Sequence, residues 1–134
     1  MRMVPILSFK GDCEAALKFY EQCLGAEIGP MFRYGGSPLE QSVPPDWADK
    51  IMHANVTIGG QPLQASDVRP IQYEAPKGVS FSLQIKETAE AERVFQELAK
   101  EGSIVMALEK TFWAERFGMV VDRFGVPWVI NCEG

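Results

Sequence analysis

Apolar and polar positions follow the same plan twice along this chain. An apolar run, Val4 to Phe9, leads into Asp12 and an amphipathic segment that ends at Leu24-Gly25. A second alternating run, Val79 to Ile85, leads into Thr88 and another amphipathic segment that ends near Gly102. Ala16, Phe19, Tyr20, Cys23 and Leu24 stand at helical spacing, and Ala91, Val94, Phe95, Leu98 and Ala99 repeat that spacing. Each segment opens on a short polar residue, carries acids in its first turn (Glu14; Glu90 and Glu92) and closes near a glycine. These are start and stop signals, so the pattern predicts helices over Asp12–Leu24 and Thr88–Glu101.

Period-two alternation predicts the strands. In the first half they are Val4–Phe9, Glu27–Arg33, Ile51–Ile58 and Pro62–Ser66, the last two joined by the tight turn Gly59-Gly60. In the second half they are Val79–Ile85, Ile104–Leu108, Phe117–Asp122 and Val126–Cys132, with a turn at Arg123-Phe124-Gly125. The expected fold is α+β in one 1–134 domain: two tandem β-α-β-β-β modules, about 1–67 and 79–134, with residues 68–78 as linker. Alternation also assigns faces. Met52, Ala54, Val56 and Ile58 belong under a helix, and His53, Asn55 and Thr57 point away. Phe81, Leu83 and Ile85 take the helix side opposite Ser80, Ser82 and Gln84, and Trp128, Ile130 and Cys132 oppose Val129, Asn131 and Glu133. Two curved half-barrel sheets with semi-polar inner faces are expected to enclose a cleft, the usual shape of a small-molecule site. Gly35 to Lys50, with Pro38, Pro44-Pro45 and Trp47, shows no regular period; a connection of this length is either a binding lid or a disordered excursion.

Composition narrows the partners. The chain has 134 residues, 46% of them hydrophobic, enough for a core without staples. Its net charge of −5 and lack of a basic cluster argue against nucleic acid and anionic membrane surfaces. No apolar run approaches the roughly 20 residues that cross a bilayer, and MRMVPILSFKGD lacks a signal-peptide pattern. Cys13, Cys23 and Cys132 are scattered and form no CxxC, so they read as reduced structural thiols of a cytoplasmic protein.

The segments ILSFKGDCEAALKFYEQCLGAEI, IMHANVTIGGQPLQASD and FWAERFGMVVDRFGVPWVINCE resemble the PhnB-like branch, often labelled 3-demethylubiquinone methyltransferase-like, of the vicinal oxygen chelate superfamily. That superfamily includes glyoxalase I, extradiol dioxygenases and the bleomycin and fosfomycin resistance proteins. The resemblance implies the paired-module fold and a homodimer. The methyltransferase label implies little, because nothing in the chain looks like a nucleotide-cofactor loop. For metal-dependent members it implies a divalent ion on about four His or Glu side chains, acting as Lewis acid.

Here that ligand pattern fails. Val4–Phe9 and Val79–Ile85 contain no His, Asp, Glu or Cys; Ser80 stands where a ligand is expected, Asn55 where many relatives show glutamate, and Val129 at the last position. No metal is therefore expected; a shifted site would have to use His53 and Glu133. The pocket candidates are His53, Asn55, Gln64, Ser80, Trp113, Phe117, Val129 and Asn131. His53, the only histidine, is a pocket base, a ligand or a structural group. Trp113 suits either a flat ligand or a dimer contact. Trp128 belongs in the core, Asp122 caps its turn, and Asp67 ends its strand, capping the linker. Three functions follow: a metal-poor small-molecule binder of the drug-sequestering or carrier type, a lyase or isomerase with His53 as general base, or an enzyme with a shifted divalent-metal site.

Overall fold

The computed structural model describes residues 1–133, which form two compact units, Met1–Glu74 and a second from Ala75 onward. The first contains β1 (Ile6–Phe9), α1 (Cys13–Leu24), β2 (Glu27–Arg33), β3 (Ile51–Ile58) and β4 (Gln61–Asp67). The second contains β5 (Phe81–Gln84), α2 (Thr88–Ala99), β6 (Ser103–Glu109), β7 (Arg116–Val121) and β8 (Pro127–Cys132). Each forms a four-stranded mixed sheet, in the orders β1-β4-β3-β2 and β5-β8-β7-β6. The first strand lies parallel to the last in each, because the helix carries the chain across the sheet. The fold is the twice-repeated β-α-β-β-β that the pattern predicts.

Each unit has its own two-layer core of one helix on one sheet face. From α1, Cys13, Ala16, Leu17, Tyr20 and Cys23 are buried, as are Leu7, Phe9, Ala54, Val56, Leu63 and Ala65 from the strands. From α2, Ala91, Val94, Phe95 and Leu98 are buried with Val120, Trp128, Ile130 and Cys132. Gly25 closes α1 at φ 67°, where its N–H and that of Ala26 both reach the Tyr20 carbonyl. The edge strands β2 and β6 are irregular, with register shifts at Ile28/Met31 and Ile104/Met106 that twist them away from flat pairing.

The start signals act differently from expectation. Asp12 precedes α1 but makes no side-chain cap bond, and neither does Glu87 before α2. The cap of α1 comes from the far end of the same unit. Asp67 Oδ1 accepts the amides of Gly11 and Cys13, each at 2.9 Å, and Oδ2 accepts that of Ile51 at 2.9 Å. Asp67 is thus a buried peg for the helix start and for β3, not a linker cap. Asp122 does cap its turn, accepting from Phe124 and Val126, and also holds the Trp128 indole N–H at 2.8 Å. Trp128 lies in the core as expected, at 2% exposure.

Two strands are shorter than the alternation predicts. In β1, Pro5 has no N–H and contributes only its carbonyl, to Gln64. β5 starts at Phe81, so Val79 and Ser80 precede it, both exposed. Upstream of the Phe81–Trp128 pair the neighbouring strand offers Pro127, which has no N–H to give.

The long connection after β2 is ordered. It holds two short 3-10 turns, Glu40–Ser42 and Pro45–Trp47. Its ends are joined by Tyr34 N–H to Lys50 O (3.0 Å) and Gly35 N–H to Ala48 O (2.9 Å). Trp47 packs edge-on to Tyr34, the Tyr34 hydroxyl donates to Asp67 O and the Lys50 ammonium to Gly11 O. This is an Ω-loop stitched to the β1–α1 corner.

Candidate functional site

One face of each sheet lies under its helix, and the opposite face carries the semi-polar residues. Directly paired residues share a face, so the register lays out both surfaces. On the first sheet, Ile6, Gln64 and Asn55 form one row, and Ser8 pairs with Ser66. His53 pairs with Phe32, and their rings stack at 6.5 Å and 28°. Asn55 is fixed by a 3.3 Å bond from its Nδ2 to the Pro30 carbonyl at the β2 irregularity. The unit therefore brings His53, Asn55 and Gln64 together on one half-exposed surface.

On the second sheet, Gln84, Asn131, Phe117 and Glu109 form one row, and Ser82, Val129, Met119 and Met106 the next. Three side chains here are linked in series: Asn131 Nδ2 donates to Gln84 Oε1 at 2.8 Å, and Gln84 Nε2 donates to Ser82 Oγ at 2.7 Å. Asn131 Oδ1 is shielded from water and is the one buried side-chain polar atom without a partner among the described residues. Beside it, Trp113 meets the Phe117 ring edge-on at 5.2 Å, and Phe112 meets Trp113 at 4.8 Å. Thr111 Oγ1 accepts the amides of Trp113 and Ala114, which fixes the loop that presents the indole. Trp113 remains 50% exposed. The unit brings Phe117, Val129, Asn131 and Trp113 together; Ser80 is exposed and precedes β5, outside the paired rows. Sequence reasoning placed Ser82 and Gln84 on the right face but left them out of the site. Neither carries a local signal; only the β5–β8 register sets them beside Val129 and Asn131.

Elsewhere in the first unit, a cavity of about 440 Å³ is lined by Gly11, Glu14, Lys18, Arg33, Lys50 and others. Within it Arg33 binds both Glu14 oxygens and the Asp49 carbonyl, which holds the Glu14 carboxyl below its usual range. The three cysteines are free and buried. Burial, with Asp67 alongside, pushes the Cys13 thiol far up, so it stays protonated and unreactive.

The donor chemistry does not fit the divalent ion that the resemblance implies. β1 offers only the Ser8 hydroxyl, β3 the Asn55 amide beside His53, β5 hydroxyl and amide groups, and position 129 is valine. Among the described residues no three His, Cys, Asp or Glu side chains come together, and Glu133 is an exposed residue past the end of β8.

Two β-α-β-β-β units with helix-covered sheets define the class shared by the glyoxalase, bleomycin resistance and dioxygenase proteins. The chain belongs to the PhnB-like family described as 3-demethylubiquinone-9 3-methyltransferase, which matches residues 1–131. It is similar to protein YjdN of Escherichia coli K12, at 39% identity over 98% of this chain and 95% of the relative. Protein PA1353 of Pseudomonas aeruginosa matches at 48% identity and TM-score 0.87, covering 99% of this chain and 98% of that one. A putative 3-demethylubiquinone-9 3-methyltransferase, PhnB protein, of Bacillus cereus matches at 25% identity and TM-score 0.85, covering 98% and 99%. A glyoxalase/bleomycin resistance protein/dioxygenase family enzyme of Burkholderia phytofirmans shares the fold at 11% identity and TM-score 0.66, covering 96% and 95%.

Proposed function

We propose that this protein is a small-molecule binder of the drug-sequestering or carrier type, working in the cytoplasm without a resident metal. The observation that carries this reading is the open face of the second sheet, where an unpartnered amide oxygen lies beside an aromatic pair. A buried acceptor without a donor costs about 1–3 kcal/mol, a penalty that a bound donor relieves. Exposed aromatic rings on a fixed loop give a flat ligand apolar contact at little entropic cost. Methyl transfer finds no support in these residues, since no loop resembles a nucleotide-cofactor site.

Ligand-observed NMR with a library of aromatic fragments, run with and without EDTA, tests the reading. Hits are expected to persist in EDTA, to survive His53→Ala, and to weaken about tenfold in Trp113→Ala, the loss of one ring contact. An absence of hits, or hits indifferent to Trp113, overturns it.

The second reading is a lyase or isomerase that uses His53 as general base. It is favoured by the place of His53, half-buried on the open face of the first sheet with Asn55 and Gln64 nearby to orient a substrate. Fragment binding lost in His53→Ala rather than Trp113→Ala would favour it.

We also propose a homodimer. β6 is an edge strand whose Ile104, Val105 and Met106 are 57%, 63% and 48% exposed, a run that favours coverage by a second copy. Sedimentation equilibrium at micromolar concentration should return twice the chain mass; a monomer there refutes it.

A further inference from the structure

The chain Ser82–Gln84–Asn131 has a direction, and its direction sets what Asn131 offers. Gln84 Oε1 takes the Asn131 amide protons, so Oδ1 is the end left over. Gln84 Nε2 in turn needs an acceptor, and Ser82 Oγ supplies it. A serine hydroxyl both donates and accepts, whereas each amide has one donating and one accepting end. Turning either amide alone would set two donors or two acceptors face to face, so the two amides turn only together, with the Ser82 hydroxyl then donating; in the structure the series runs toward Ser82 and leaves Asn131 Oδ1 over.

Resting on the small-molecule reading above, we infer that this series selects flat, uncharged ring systems that carry an N–H or O–H donor at the ring edge. The ring lies against Trp113 and Phe117, and the edge donor meets Asn131 Oδ1, which is paired across β7 and β8 with Phe117. Asn131 and Phe117 are cross-strand partners and both half-buried, so a ligand that displaces the Phe117 ring slightly meets Oδ1 while the Asn131–Gln84 bond is kept. The two rows of this face contain one ionisable group, Glu109 at the edge strand, which disfavours an anion. Gln84 is a positioning residue: it sets the polarity of a group that touches ligand without touching ligand itself. A site of this kind rejects an analogue lacking the donor, because the acceptor is then buried unpaired.

Three bicyclic probes separate the possibilities by calorimetry: indole with an N–H, benzothiophene of the same shape without one, and quinoline with only an acceptor. On the unaltered protein, indole should bind about fivefold tighter than either of the others, the usual yield of one hydrogen bond. Gln84→Glu keeps that preference, because a carboxylate only accepts and continues to hold the Asn131 amide protons. Gln84→Lys abolishes or inverts it in favour of quinoline, because an ammonium only donates and draws Oδ1 toward itself. Residue 84 is exposed, so both variants should fold, and the Glu variant is the control for the Lys variant. If all three probes bind alike, the ligand site stands and this inference is overturned. If none binds, the reading on which it rests falls too.

Discussion

Replacing Asp67 by alanine should lower stability by about 4 kcal/mol, because three backbone amides, two buried and one partly so, lose their acceptor at once. Gly11, Cys13 and Ile51 all donate to this one carboxylate, which is 1% exposed. They lie at the start of α1 and the start of β3, so the peg joins the helix to the sheet. The Ω-loop shares it, since the Tyr34 hydroxyl donates to the Asp67 carbonyl. A loss of that size is a large fraction of the roughly 5–15 kcal/mol that holds a domain together. Asp67→Asn keeps the shape but turns an amide N–H2 toward backbone donors, so it should recover only part of the loss. Urea unfolding read by circular dichroism gives the comparison. An Asp67→Ala variant within 1 kcal/mol of the parent would show that the carboxylate is not what fixes this corner.

The second large effect is expected at Gly102. A Cβ built there would collide with the Val121 carbonyl oxygen and lie 3.1 Å from Asp122 Cα, both backbone atoms. Backbone cannot step aside as a flexible side chain does, so Gly102→Ala should cost about 2–3 kcal/mol, the range of overpacked cores. The glycine after α2 thus serves close approach to β7. It is not the left-handed helix stop that the sequence pattern suggests. α2 stops instead at Lys100, which turns extended (φ −60°, ψ 122°), and Glu101 follows at φ 58° in a turn closed by Gly102 N–H to Ala99 O. Gly25 after α1 does act as a left-handed stop, at φ 67°. The glycines that follow the two helices therefore have different physical reasons. Thermal melting of Gly102→Ala beside Gly25→Ala checks this; an unchanged Gly102→Ala melt would refute the clash.

The faces of the site were legible in the sequence, and the site's wiring was not. Period-two alternation is a local property, so His53 and Asn55 could be separated from Ala54 and Val56 by reading along one strand. The same reasoning put Val129 and Asn131 opposite Trp128 and Ile130. It failed for Ser80, because where a strand begins depends on whether its neighbour can pair, and Pro127 lies in another strand. It also left Gln84 out, because a lone glutamine on an exposed face carries no local signal; only the β5–β8 register sets it against Asn131.

By itself the sequence determined the two-module plan, both helices and the inward and outward faces of β3, β5 and β8. It also showed that two of the strands expected to supply metal ligands lack a competent one. These follow from spacing and side-chain chemistry within a dozen residues. Tertiary structure alone decided what caps α1, where β5 starts, how the 34–50 loop is tied down, and which amide atom of Asn131 is left without a partner. Each of those depends on a hydrogen bond or a steric contact between residues remote in the chain, and such pairings are fixed only when the whole sheet sets its register.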